Sequence, residues 1–320
     1  MTYAQNGLVE ATDYNNLVGT SPGTTANRLN TVYAVGGGNS GYGQSALSQV
    51  AAGDTVTASN WSNLINNTSK AALHQGSTIT SVTAPVAGGT ITYLGAVPTN
   101  LTTIYTNRLN ATAQGTTSSN TQTYGSSWGT SVTFTHLITF TNGDNARYFF
   151  NAGGQIAINC SHPAGSGFNG TISGLASAIG TVVLSAPITG TIIIASTNYN
   201  GVTKIGGGGN TPTVSTNNGY YALNISNAQI FSQTASSSYY YYYYYGYNGR
   251  IRILAKSNGT QGSNNDAGSL ITLYTIWDQI PSGLTISAGS ATTCVIRPPS
   301  TSNITNSWGT VNITGSVTGS

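Results

Sequence analysis

The sequence predicts an α+β chain that is mainly β, with a small irregular helical region over residues 1–113 and a β-sandwich-like domain over residues 131–320. Apolar residues keep helical spacing in short segments of the first region. In the second, short runs rich in Val, Ile, Thr and Tyr are separated by Gly, Asn and Pro, as in sandwiches and barrels. Residues 114–130 are mostly Thr, Ser, Asn and Gly, which is the composition of a linker.

Two similar segments predict short helices in the first region. Residues 9–18 and 56–65 both contain Ala, a hydroxyl residue, Asx, an aromatic residue and then Asn-Leu. Thr12 in the first copy, and Thr57 or Ser59 in the second, have the side-chain oxygen that an N-cap requires. The second copy continues with one helical face, made by Trp61, Leu64, Ile65, Thr68 and Ala72.

A second echo, Asn-Arg-Leu-Asn, occurs at residues 27–30 and 107–110. The spacing around the later copy predicts a helix that starts near Pro98 and Thr99. Its expected face comprises Leu101, Ile104, Tyr105, Arg108, Leu109 and Thr112.

After the linker, the pattern changes to strands. Residues 131–140 alternate and then become apolar, and residues 142–145 have the composition of a turn. We expect no helix of useful length beyond residue 130. The predicted strands are 131–140, 147–150, 155–160, 181–186, 191–196, 220–225, 250–255, 269–277, 284–287 and 292–297.

Charge is scarce. Only 5% of the residues are charged, and the formal net charge is +3, whereas soluble domains usually carry about a quarter charged residues. A surface with so few ions gains little solubility from repulsion, which suits a protein packed against copies of itself or its neighbours. Clustered Lys and Arg are missing, so no nucleic-acid partner is expected.

The chain lacks the sequence signals of membrane insertion and secretion. No apolar run approaches the roughly 20 residues of a membrane helix, and the first residues do not form a basic and apolar secretory signal. Two cysteines, Cys160 and Cys294, are too few for a disulfide scaffold. We expect buried free thiols, with a Cys160–Cys294 pair as the alternative.

The residues offer little for catalysis or metal binding. The acids of the β region, Asp144, Asp266 and Asp278, do not indicate a pair across a groove. Cys160 and His162 have no second pair of ligands at suitable spacing, and residues 206–209 lack the Lys-Ser/Thr ending of a phosphate-binding loop. We therefore expect no catalytic residue, metal or cofactor. A capsule depolymerase that uses Asp266 or Asp278 is an alternative.

An uninterrupted tyrosine run is the most unusual feature. It comprises Tyr239, Tyr240, Tyr241, Tyr242, Tyr243, Tyr244 and Tyr245, with Tyr247 after one glycine. In a strand, both faces of such a segment are aromatic. It can fill a subunit interface, stack on sugar rings or lie on the protein's own surface. Base stacking is disfavoured because only Arg250, Arg252 and Lys256 follow it.

One segment carries a family resemblance. Residues 144–156, Asp-Asn-Ala-Arg-Tyr-Phe-Phe-Asn-Ala-Gly-Gly-Gln-Ile, resemble a segment of tailed-bacteriophage virion structural and tail-associated proteins. The two Asn-Leu segments, the Arg-Leu-Asn stretch and residues 297–301 and 308–310 fit the same resemblance. Its most specific part includes Arg147, Tyr148, Phe149, Phe150, Gly153 and Gly154.

The resemblance implies a non-enzymatic virion component, made in the host cytoplasm, without an active site to carry over. We expect a homo-oligomeric tail, fibre or collar protein, whose helical region docks on the particle and whose partners are its own copies and other virion proteins. An alternative is a host-attachment adhesin that binds a cell-surface glycan through the tyrosine run.

Overall fold

The chain begins helical and continues as two antiparallel sheets packed face to face. The computed structural model describes residues 9–19, 28–87, 95–235, 248–259, 268–280 and 283–320. The expected α+β, mainly β fold is confirmed, with a small helical region followed by a β-sandwich-like part. The first helices are α1 (Ala11–Val18), α2 (Leu29–Tyr33), α3 (Ala58–Gln75) and α4 (Ala96–Thr106).

The N-cap prediction is confirmed for α3 and wrong for α1. Thr57 precedes α3, and its hydroxyl accepts a hydrogen bond from Asn60 N, while the Asn60 side chain returns to Thr57 N. This reciprocal pair satisfies two free donors at the helix start. Helix α1 is instead capped by Glu10, two residues before Thr12. Helix α4 ends at Thr106, so Leu109 and Thr112 lie outside it.

The first sheet has five strands in the order β1-β12-β3-β4-β7. Its strands are β1 (Ser118–Tyr124), β3 (Gln155–Ser161), β4 (Thr181–Leu184), β7 (Val202–Ile205) and β12 (Ser290–Arg297). A hairpin of β5 (Ile192–Ile194) and β6 (Thr197–Tyr199) forms a small apolar cluster with Ala157 and Val183 of this sheet.

The second sheet has six strands in the order β13-β2-β11-β10-β9-β8. Its strands are β2 (Ser131–Thr139), β8 (Thr213–Val214), β9 (Ala228–Thr234), β10 (Asn248–Ser257), β11 (Leu270–Ile280) and β13 (Asn312–Gly319). Burial alternates along β2, so Phe134 and Ile138 face the core while Thr133 and Thr135 face outward.

The linker prediction is wrong. Residues 118–124 form β1, which pairs with β12 along its whole length. The strand has almost no apolar residue until Tyr124, so its pattern carries no burial signal. Its pairing is set by β12, as in the contact between the Thr121 and Thr293 hydroxyls at 2.8 Å.

Two helices were missed beyond residue 130. The expected turn at 142–145 is the start of α5 (Gly143–Asn151), where Asn142 Oδ1 accepts a hydrogen bond from Asn145 N. The expected strand 147–150 is therefore helical. Helix α6 (Gly167–Ile179) contacts strands of both sheets. Its frequent Gly and Ser hide an apolar face made by Phe168, Ile172, Leu175 and Ile179.

Two shorter predicted strands also differ. Within 220–225, residues Tyr220–Ala222 form a 3-10 turn, in which the Tyr220 ring stacks on Phe150 at 4.1 Å between centroids. Within 284–287, only Ile286 forms a bridge, with Trp128.

The helical region and the sheets share one hydrophobic core. Buried side chains from Tyr14 and Trp61 in the helices to Phe134 and Trp277 in the strands belong to a single cluster. Hydrogen bonds also join the two parts of the chain: the Gln44 side chain donates to the Thr305 carbonyl oxygen and accepts from the Thr305 N–H. The division at residues 113 and 131 therefore does not separate two cores in the described part of the chain. None of the described helices is long and apolar enough to cross a membrane.

Candidate functional site: a polar groove over a buried hydrogen-bond network

A glycine-containing loop, residues 36–44, passes into the interior beneath the candidate site. Arg147 on α5 is fully buried, and its Nη1 donates to the carbonyl oxygens of Ser40 at 2.7 Å and Gly38 at 3.5 Å. Asn151, one turn later, donates from Nδ2 to the carbonyls of Gly38 and Gly41. These bonds satisfy backbone acceptors that the loop brings out of water.

Further contacts hold the same loop and helix. The Tyr221 hydroxyl lies 2.8 Å from the Gly38 carbonyl oxygen and 2.6 Å from Asn151 Oδ1, so its proton can be donated to either. On the exposed side, Arg147 Nη2 lies 3.0 Å from Asp144 Oδ1. Asp144 is therefore an ion-pair partner in the first turn of α5 rather than a turn residue.

The remaining residues of the family-like segment are also structural. Phe149 and Phe150 pack edge to face in the core, and the Tyr148 ring lies under the Arg147 guanidinium. Gly154 has no room for a side chain, because a Cβ there would lie 2.6 Å from the Phe149 carbonyl oxygen. The segment thus shapes the core on which the groove is built.

Gly153 lets the second wall of the groove approach. It has a φ of +90°, and a Cβ there would lie 2.6 Å from the Ala111 Cβ. Ala111 N donates to the Ile193 carbonyl oxygen, and Ala195 N donates to the Ala111 carbonyl oxygen. The β5–β6 hairpin is therefore tied to the chain that follows α4.

Between these walls lies an open groove of about 840 Å³, which we call the Arg108 groove. It is lined by residues 37–39, 106–110 and 187–192 and by Tyr221. Its volume lies in the range of about 300–1,000 Å³ typical of small-ligand sites. Amides, hydroxyls and glycine backbone make up most of the lining, and Arg108 is the one charged residue among the described residues that line it.

Arg108 is held rigidly in this groove. Its Nε donates to the Asn39 carbonyl oxygen at 2.9 Å, its Nη2 to Asn39 Oδ1 at 3.0 Å and its Nη1 to the Tyr105 carbonyl oxygen at 2.9 Å. The guanidinium carbon lies 4.4 Å from the centroid of the Tyr105 ring. In the described part of the chain, no carboxylate forms an ion pair with it.

The other sequence candidates have structural settings. Asp278 accepts hydrogen bonds from both Arg250 and Arg252 on the outer face of the second sheet. His162 Nδ1 lies 3.0 Å from Ser290 Oγ, and burial lowers its pKa. Among the described residues, no group of His, Cys, Asp and Glu is arranged to hold a metal ion.

The cysteines are separate, as expected. Cys160 and Cys294 are free thiols on neighbouring strands, and burial raises the pKa of each to about 12. A thiol with so high a pKa is inert near neutral pH.

The tyrosine run, residues 239–245 and 247, lies outside the described residues, as does Asp266. Its expected roles stay predictions. Sequence reasoning missed the Arg108 groove, because its walls come from three separate segments. The only sequence signal was the Asn-Arg-Leu-Asn stretch at 107–110, which we interpreted as the end of a helix.

Comparison with protein-family models, curated proteins and solved structures finds no match for this chain.

The geometry at Gly153 gives a testable prediction. Gly153→Ala should destabilise the fold by about 1–3 kcal/mol, because it combines a positive φ with a contact against Ala111. Gly174→Ala is the matched control: position 174 lies in α6 with open space around it, so alanine should stabilise the helix by up to about 1 kcal/mol. Denaturant unfolding of both variants checks this, and equal effects would contradict the role of Gly153.

Proposed function

We propose that the chain is a non-enzymatic structural protein of a tailed-bacteriophage particle, held in a tail, fibre or collar by subunit contacts. The observation that carries this proposal is the outer face of the six-stranded sheet. This face, which we call the threonine face, has hydroxyl residues side by side on β2 and β13. Their paired positions are Thr133 with Thr318 and Thr135 with Ser316.

The threonine face has few charged groups among the described residues. Asp278 binds both Arg250 and Arg252, and Lys256 lies 5.7 Å from the centroid of the Tyr274 ring. Leu137, Ile276 and Tyr274 are partly exposed between the hydroxyl rows and the ions. Surfaces of mixed hydroxyl and apolar character with few charges suit burial against another subunit.

Strand β13 forms one edge of the six-stranded sheet. Strand β13, Asn-Ile-Thr-Gly-Ser-Val-Thr-Gly, pairs with β2 in continuous register over eight residues. Edge strands of free proteins are usually blunted by Lys, Pro or a bulge, and β13 has none of these. Because hydroxyls both donate and accept, the favoured neighbour for this surface is a second copy of the chain.

Particle incorporation tests the proposal. A phage that lacks the gene is complemented with wild type, Thr135→Lys or Thr314→Lys, and gradient-purified particles are quantified by mass spectrometry. We expect a fixed copy number for wild type and at least about a tenfold loss for the lysine variants, because each buries an unpaired charge. Ser177→Lys on the exposed side of α6 is the control and should incorporate normally. Absence of the wild-type chain from particles would refute the proposal.

A second candidate function is host attachment through a glycan. The sequence predicts the tyrosine run as its contact surface, and the structural observation that favours it is the Arg108 groove. Release of reducing ends from host capsule by the purified chain would instead favour a depolymerase.

A further inference from the structure

We propose that the Arg108 groove binds an anionic carbohydrate chain, with Arg108 receiving a carboxylate or phosphate group. This inference is independent of the virion assignment, because it concerns a site on the isolated chain. A guanidinium has five N–H donors, and the protein uses three of those of Arg108. One donor therefore remains on each terminal nitrogen, and an oxyanion can accept both.

The position of Arg108 indicates a ligand role rather than a structural one. Asn39 and Tyr105 fix the guanidinium from two sides, so little side-chain entropy is lost on binding. Its charge has no carboxylate partner among the described residues. Arg147, Arg250 and Arg252, by contrast, are each bound to an aspartate.

Three amides around Arg108 are each held by the protein through one of their two polar atoms. Asn39 Oδ1 accepts from Arg108, Asn110 Oδ1 accepts from Ile193 N at 2.9 Å, and Asn107 Nδ2 donates to Ser77 Oγ at 3.0 Å. The other polar atom of each amide has no partner among the described residues, which leaves two NH₂ groups and one carbonyl oxygen for a ligand. Sugar hydroxyls match this mixture of donors and acceptors.

The groove also has an apolar contact and a rigid frame. Ile188 is 46% exposed at its edge and offers aliphatic surface for the C–H face of a sugar ring. One wall is anchored at Gly38 by Asn151 and Tyr221. The other wall continues into the β5–β6 hairpin, where Ala195 and Ser196 have the positive φ angles that a tight two-residue hairpin turn requires.

The test measures binding of defined carbohydrates to the full chain by titration calorimetry. The probes are oligoglucuronic acid, its carboxyl-reduced neutral form and a glycerol-phosphate polymer bearing sugars. We expect at least one anionic probe to bind at least about tenfold more tightly than the neutral form. Its affinity should fall as the salt concentration rises. The first and third probes distinguish carboxylate from phosphate as the source of the charge.

Variants locate the site. Arg108→Gln should weaken the affinity for the anionic probe at least about tenfold. Arg108→Lys should keep only part of the affinity, because an ammonium group lacks the two parallel N–H donors of a guanidinium. Lys70→Gln, at an exposed position of α3, is the control. A thermal melt checks that the Arg108→Gln variant is folded. The neutral probe tests the same interaction from the ligand's side, because it removes the anionic group while the protein is unaltered. Equal binding of anionic and neutral probes, no binding of either anionic probe, or full affinity in folded Arg108→Gln would overturn the proposal. Particle incorporation is measured separately, so the two proposals can fail independently.

Discussion

Arg147→Ala is expected to reduce the free energy of unfolding by about 3–5 kcal/mol, through an unsatisfied Ser40 carbonyl and a cavity in the core. Arg147 is fully buried, and its Nη1 is 2.7 Å from the Ser40 carbonyl oxygen. For a chain of this size, such a loss lowers the melting temperature by on the order of 10 °C. Urea unfolding followed by tryptophan fluorescence measures it.

Two further variants separate the causes. Arg147→Met keeps most of the volume and removes the desolvated charge, so its loss should be smaller, about 1–3 kcal/mol from the unsatisfied carbonyl. Lys70→Ala removes an exposed cation and should change stability by less than about 0.5 kcal/mol. If Arg147→Ala were as stable as Lys70→Ala, the buried network would not anchor the 36–44 loop.

The free energy of unfolding is expected to fall on acidification at pH values well above those at which carboxylates titrate. Burial lowers the pKa of both His74 and His136 to about 4. In the unfolded chain these imidazoles have their ordinary pKa near 6.5, so between these values the unfolded chain binds more protons than the folded one. The stabilising contribution is present above pH 6.5 and is lost as the pH falls to about 4, at a cost of roughly 3 kcal/mol per histidine.

The measurement is the free energy of unfolding from pH 8 to pH 4. The His74→Gln/His136→Gln double variant should be less stable at pH 8, since both imidazoles fill buried positions, but its stability should vary much less with pH over this range. His162, whose pKa is also lowered, accounts for part of the remaining slope. A wild-type stability that is constant from pH 7 to pH 4.5 would contradict the buried neutral state of these rings.

The contrast between β2 and β1 explains how much of the fold could be predicted. Strand β2 buries every second residue in the core, so its sequence alternates and was recognised. Strand β1 lies at the end of its sheet with polar residues on both faces, so its strand character depends on pairing with β12. Edge pairing of this kind leaves little pattern in one sequence.

Helix α5 was missed for a different reason. Its cap, Asn142, and the following Gly143 and Asp144 have turn composition, and a helix N-terminus uses the same residues as a turn. The aromatic residues after them favour strands on propensity alone. Tertiary packing decides the outcome, because Arg147 and Phe150 lie on the buried side of one helix.

The candidate site was harder to predict than the fold. Arg147 was identified as part of a distinctive segment, but nothing in its neighbours shows that it binds a loop more than 100 residues away. Arg108 was placed on a helix face, whereas it follows α4 and lies in the groove. A site assembled from three distant segments has no local spacing for sequence analysis to detect.

The proposed structural role requires the threonine face to be buried against another copy of the chain in an assembled particle. An electron cryo-microscopy map of the purified particle tests this most directly. Our account predicts density for this chain in repeated copies, with Thr135 and Ser316 at a subunit contact and β13 alongside a neighbour. A map in which the chain is present with that face open to solvent on every copy, or in which the chain is missing, would contradict it.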